Sequence, residues 1–466
     1  MNQTTTRIEQ PPPGYHPRRS IRRWLPYITW EGAFANVFIV GTGGAFLTGM
    51  ALLLGASDFE IGLLGAIPFL AQLAQICSAY LMDRNGGRKS LTLVSIAIAR
   101  QSWWLVIPLL LLPGSRRLEF FILIVTVSSV ATMVATPGWM SWMADLVPEG
   151  IRGRYFGRRN AAVSVTTMVV TVAGGIILDR FHAINLEAAG FAVLVGASCL
   201  FALAAVLLLR KVPDTRLTVS GESFSLSRLL EPFMNPTYRR LIKVFFMWNV
   251  ATGIAAVFFA AHMLTNLKMT FTQIALYTSV TSIVAILLNK PWGSLIDRFG
   301  SKPVIVLTAF GIAFVPIIWL FPRAGHLWIL AFESVYSGAL WTGFNLGAFN
   351  LPIAVSPKEG RTTYLATFAV ITGLAFFASC IVGGMIAETF AGLHWRVGAQ
   401  TIVNYHLLFV ISSVLRLLAA FLMTSFHEPR EKRFPIMIQF MGYAFLKRIS
   451  VGRQILPFPF RRSGEK

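Results

Sequence analysis

Long apolar runs separated by short polar breaks organise the chain between residues 26 and 425. Twelve runs can be counted, at 26–54, 59–82, 90–113, 118–147, 160–181, 189–209, 241–267, 271–296, 303–322, 327–355, 364–388 and 401–425. Each approaches or exceeds the roughly 20 apolar residues that a helix needs to cross a bilayer. They are too long and continuous for strands, and the alternation of a membrane barrel is absent. The pattern predicts an all-α integral membrane protein with twelve transmembrane helices. The longest polar stretch, 210–240, separates two sets of six runs. Within it, Leu226, Leu229, Leu230 and Phe233 fall at helical spacing, which predicts an amphipathic helix lying on the membrane surface. The expected division is a cytoplasmic tail (1–24), a first bundle (25–209), a linker with its helix (210–240), a second bundle (241–426) and a basic, interfacial tail (427–466).

Composition agrees. Apolar types make up 55% of 466 residues and charged types 13%, half the usual share of a soluble domain. A water-soluble globule and a disordered chain are both excluded. A net charge of +21 usually suggests nucleic acid, but its distribution argues otherwise. Of 41 Lys and Arg, 32 fall on the face that carries both termini and 6 on the opposite face. Basic residues mark the cytoplasmic side, so both tails are expected in the cytoplasm of a multi-pass inner-membrane protein. The excess charge then gives affinity for the anionic inner leaflet rather than for nucleic acid. Cys77, Cys199 and Cys380 lie singly in apolar runs, which supports neither a disulfide framework nor a zinc site. The proline-rich, basic N-terminus does not look like a cleaved secretory signal.

The two sets of six resemble each other. "YLMDRNGGRKS" (80–90) follows run two and "SLIDRFGSKPV" (294–304) follows run eight. Asp83 and Arg84 match Asp297 and Arg298, Gly86 matches Gly300, and Arg88 matches Lys302. Gly138, Pro148 and Arg152 match Gly347, Pro357 and Arg361. "AGGIILDRF" (173–181) matches "VGGMIAETF" (382–390), with Asp179 opposite Glu388. Three blocks in the same order point to two parallel six-helix halves.

The twin D-R-x-G-x-[RK] loops resemble the signature of the major facilitator superfamily of secondary transporters, over residues 25 to 425. The second copy, with Gly293, follows the pattern closely; the first has Ala79 where the pattern prefers glycine. The resemblance implies two pseudo-symmetric bundles that rock about a midplane site, moving a small solute by alternating access as a symporter or antiporter. It also implies that the loops latch the halves on the cytoplasmic side. Asp83 would meet the start of span eleven near Arg361–Tyr364, and Asp297 the start of span five near Arg158–Asn160. Spans one, four, seven and ten would line the cavity. Glu31, Asn36, Trp139, Trp142, Asn249, Glu333, Asn345 and Asn350 are then the candidates for substrate or proton binding, with His262 also on span seven. Ionisable groups in a membrane interior are costly and default to function. A carboxyl in low dielectric favours its protonated form and can load and unload a proton, so Glu31 or Glu333 would carry it. Arg100 and Arg416, on peripheral spans, would be structural. Span five lacks the Gly-Pro stretch usual in drug/proton antiporters.

No phosphate-binding loop is present, so direct ATP coupling is not expected. The seven histidines are scattered, so neither an enzyme, a metal site nor a cofactor is expected. A proton-coupled transporter, acting as a monomer, is the leading reading. The alternative is a non-transporting relative of the same fold, an assembly factor or ligand sensor.

Overall fold

The computed structural model describes residues 17–75, 78, 88–147, 149–214, 231–357, 361–398, 400–425, 428 and 435–440. Helices stand at all twelve predicted spans. In the first half they are Pro17–Gly41 with Gly44–Leu53, Asp58–Ala71, Arg88–Gln101 with Val106–Leu111, Arg117–Leu146, Glu149–Ala183 and Glu187–Lys211. In the second half they are Pro236–Ala256 with Phe258–Thr265, Phe271–Phe299, Ser301–Ala313 with Val315–Ile318, Trp328–Val355, Arg361–Thr389 and Asn404–Thr424. Among the described residues, ten of the spans are long and apolar enough to cross a membrane. They are called span one to span twelve below. The face opposite the termini is called outer, following the orientation expected from the charge count.

Helix starts follow local chemistry. Spans two and eight open with matching capping boxes. Ser57 accepts from the Glu60 amide and Glu60 accepts from the Ser57 amide; Thr270 and Gln273 do the same. Each box satisfies two of the four orphan N–H groups at a helix start and holds the entering chain. Span seven is capped by Asn235, which accepts from the Thr237 and Tyr238 amides, with Pro236 at the first helical position. Between spans eight and nine the backbone turns at Gly300 with φ +93°, a conformation that glycine alone adopts readily.

Two local features differ from expectation. The run from 401 begins as a strand: His394–Val397 pairs antiparallel with Gln400–Val403, and span twelve starts at Asn404. The β-branched run Thr401, Ile402 and Val403 suits a strand, and Gly398 at φ +60° makes the turn. The surface helix expected at Leu226–Phe233 lies mostly outside the described residues; its described end, Glu231–Met234, places Phe233 against the second-half core. In the C-terminal tail, residues 435–440 are helical. There Met437 is buried among Trp292, Ile296, Phe299 and Val304.

Each half has its own apolar core. One centres on Phe38, Trp103, Phe121 and Phe191, the other on Tyr238, Phe245, Trp248 and Phe344. The halves meet along spans two and eleven, five and eight, and the outer parts of one and seven. Phe69 stacks on Phe376 with centroids 3.9 Å apart. Small residues allow the backbones to touch: a Cβ on Gly62 would lie 2.8 Å from the Cys380 carbonyl, and one on Gly175 2.8 Å from the Phe271 carbonyl. These contacts lie from the outer ends to the middle of the spans, so the seam between the halves is shut on the outer side.

Candidate functional site

Among the described residues, two prominent cavities lie along the seam. The larger, about 530 Å³, is walled by the second half, chiefly spans seven, ten and eleven. Aromatic rings dominate its lining, including Trp248, Trp319, Trp341 and Phe344. Trp248 stacks on Phe344 at 4.4 Å. Asn249, Glu333, Asn345 and Arg416 supply most of its polar chemistry. The smaller cavity, about 420 Å³, is largely apolar and is lined by spans one to four together with Ala256, Val257 and Ala260. Ala256 borders both. Spans one and seven are each interrupted here, after Gly41 and at Val257, and the residues at both interruptions line the smaller cavity. Interrupted helices at corresponding points of two repeats mark the binding region of many transporters.

Glu333 is fully buried on span ten. Its Oε2 accepts from the Tyr277 hydroxyl at 2.6 Å, the length of a charge-assisted bond. Its Oε1 makes no hydrogen bond of good geometry, although the Trp319 and Ser337 side chains lie near, and Arg416, whose charge acts on it, stands beyond ion-pair distance. Arg416 lines the same cavity, donates to the Ile312 carbonyl at 3.4 Å and has an unpartnered Nε. Span twelve thus sends one side chain into the cavity despite its peripheral position. Asn249 lines the cavity and donates its side-chain amide to the Phe245 carbonyl at 2.8 Å.

Glu31 occupies a different setting. It is 2% exposed and lies between two guanidinium groups, Arg100 at 3.4 Å and Arg159 at 3.5 Å. Arg159 also covers the Trp139 ring at 4.8 Å. Gly32 makes room for it, since a Cβ there would stand 2.6 Å from the guanidinium. Arg100 therefore pairs with a carboxylate that it shares with Arg159. The cluster carries one more positive than negative charge, in the interior of the first half.

The remaining candidates have other partners. Asn36 donates to the Thr167 hydroxyl at 2.6 Å, tying span one to span five. Trp142 is buried and donates to the Pro213 carbonyl. Asn350 donates to Leu346 on its own helix. None of Glu31, Asn36, Trp139, Trp142 and Asn350 lines either cavity. His262 is buried in a cage with Trp319, Tyr405, His406 and Phe409. Of the latch residues, Asp83, Arg84 and Gly86 lie outside the described set. Arg88 is buried and bonds Asp145 at 2.6 Å and Ser141 at 2.8 Å. Asp297 is exposed, and among the described residues it has no partner. Arg298 lies 4.1 Å from the Phe440 ring, and the Lys302 amide donates to Glu428.

Sequence reasoning missed Tyr277, Arg159 and Asp145. Tyr277 lies on span eight, outside the four spans taken to line the cavity. Arg159 lies just before the apolar run of span five, where hydropathy gives no sign that its side chain turns inward. Among the described residues, no group of three His, Cys, Asp or Glu side chains is placed to hold a metal ion.

The sequence profile of the Major Facilitator Superfamily matches residues 30–265 and 242–439. An uncharacterized MFS-type transporter of Methanocaldococcus jannaschii is 22% identical over 374 residues, covering 78% of this chain and 91% of that protein. The multi-drug resistance efflux pump PmrA of Streptococcus pneumoniae is 31% identical over 136 residues, which cover 27% of this chain and 32% of the pump. Among solved structures, a D-xylose-proton symporter superimposes with a TM-score of 0.67 at 15% identity, covering 89% of this chain and 99% of that one.

Proposed function

The chain belongs to the major facilitator superfamily as a secondary transporter, and from that premise we propose that it moves a small organic solute by proton-coupled alternating access. The solute binds in the larger cavity of the second half, against the aromatic wall and the amides of Asn249 and Asn345. Glu333 carries the coupling proton. Arg100, Arg159 and Glu31 form a structural charge cluster in the first half.

The observation that carries this reading is the fully buried Glu333 carboxyl beside the solute cavity, whose Oε1 lacks a hydrogen bond of good geometry and which, among the described residues, has no cation within ion-pair distance. An unpaired carboxylate charge in such a place is costly. A proton removes that cost, and a change of access alters it, so loading can be tied to the conformational cycle. Glu31 lacks this property, because two guanidinium groups already meet its charge. The proton symport named for the solved relative supports coupling to the same ion.

The closed outer seam and the exposed Asp297 fit an inward-facing state. In the outward-facing state Asp83 and Asp297 would engage the starts of spans eleven and five and latch the cytoplasmic side. Both tails lie in the cytoplasm in this account, as the charge count requires.

A thermal-shift screen of metabolites and amphiphilic drugs tests the site. A ligand at 100 times its Kd stabilises by about 2.7 kcal/mol. Hits should lose their shift in Asn249→Ala and Asn345→Ala and keep it in Asn350→Ala. Shifts that survive both cavity substitutions would place the solute elsewhere.

A further inference from the structure

The third repeated block, in which Asp179 corresponds to Glu388, has no role in the account so far. In the structure the two carboxylates do the same thing on opposite sides of the seam. Asp179 ends span five in the first half, and its two oxygens accept from the Phe271 and Thr272 amides at 2.9 Å each. Those amides begin span eight in the second half. Glu388 ends span eleven in the second half and accepts from the Phe59 amide at 3.1 Å. That amide begins span two in the first half. Each carboxylate thus crosses the seam to the start of a helix whose own capping box satisfies a different N–H. The positive end of the helix dipole adds to the attraction.

The surroundings repeat as well. Gly175 and Gly384, matched in the same block, bring the backbones together: a Cβ on Gly175 would meet Phe271, and one on Gly384 would lie 3.1 Å from Phe59. The second arm is reinforced by Asp58, which accepts from Asn404 at 2.6 Å and from the Tyr405 hydroxyl.

We propose that Asp179 and Glu388 are paired clasps that hold the outer gate shut, each by capping a helix of the other half. This rests on the alternating-access reading above. Outward opening must break both caps and expose three helix-start amides to water, so the clasps set the balance between the two access states. They are positioning residues and do not contact the solute.

The test reads access without any solute. In a full-length chain with Cys77, Cys199 and Cys380 replaced by serine, Thr42→Cys reports on the smaller cavity from outside and Ala348→Cys on the larger cavity from the cytoplasm. Labelling by a membrane-impermeant maleimide is timed from each side. Asp179→Ala and Glu388→Ala should each raise outer labelling of position 42 by roughly tenfold or more, because hydrogen bonds to a charged group are lost only from the closed state. Labelling of position 348 from the cytoplasm should fall in parallel, which a misfolded protein would not show. Asp179→Asn, which keeps an acceptor without the charge, should fall between. Gly384→Leu serves as a wedge that props the seam open by bulk alone. A wedge that opens the outer face while both alanine variants leave labelling unchanged would overturn the clasps and leave alternating access intact. Labelling that no variant changes would overturn both.

Discussion

Replacing Glu31 by glutamine separates a structural cluster from a proton site. Glu31 faces Arg100 at 3.4 Å and Arg159 at 3.5 Å, all three side chains being at most 15% exposed. At an effective dielectric near 20, each pair contributes about 5 kcal/mol of Coulomb attraction before desolvation is counted. Replacing the shared carboxylate leaves two guanidinium groups buried side by side with only a neutral amide between them. Breaking a buried ion pair from one side costs about 3–5 kcal/mol, and here two pairs break at once. Arg100→Met or Arg159→Met has the opposite effect on charge: Glu31 keeps one partner and the cluster becomes neutral. Glu31→Gln should therefore lower the thermal midpoint in detergent well below either methionine variant, while Glu31→Gln/Arg159→Met recovers part of the loss. The surviving folded fraction of Glu31→Gln should still couple solute to protons. A Glu31→Gln protein as stable as wild type but uncoupled would refute the structural reading and move the proton site to span one.

Other expectations are smaller in scope. Tyr277→Phe removes the 2.6 Å hydrogen bond to Glu333 and should slow solute-driven proton movement by roughly 5- to 150-fold, the range for 1–3 kcal/mol, with the fold intact by circular dichroism. Gly300→Ala forces a side chain into φ +93° and should cost about 1–3 kcal/mol, whereas Gly293→Ala, with open space around its Cβ, should be neutral or slightly stabilising in the same melt. Ser57→Ala removes the cap of span two and should cost about 0.5–2 kcal/mol by the same measurement.

The fold was legible because membrane physics leaves few options. A run of 20 apolar residues has to be a helix, and the twin loops and glycines then fix the two-half arrangement. Span boundaries failed where local chemistry overrode hydropathy, as in the hairpin at His394–Val403. The site was legible only in part. Asn249, Glu333 and Asn345 lie on cavity spans and were found by that rule. Trp142, Asn36 and Asn350 lie on such spans too, yet each donates to a backbone or hydroxyl partner that a one-dimensional reading does not reveal. Tyr277 and Arg416 reach the cavity from spans that the rule leaves out. The match of Asp179 to Glu388 was visible as a repeat, but its meaning needed the partner helix starts, which lie about 90 and 330 residues away in sequence.

The central claim is that Glu333 carries the coupling proton beside the solute. Proteoliposomes holding a pH-sensitive dye and a solute identified by the thermal screen test it directly. The account predicts solute-driven proton movement in the wild-type chain. In Glu333→Gln, which keeps the shape and the acceptor for Tyr277, proton movement should vanish while solute exchange across the membrane continues. Undiminished proton movement in Glu333→Gln would contradict it.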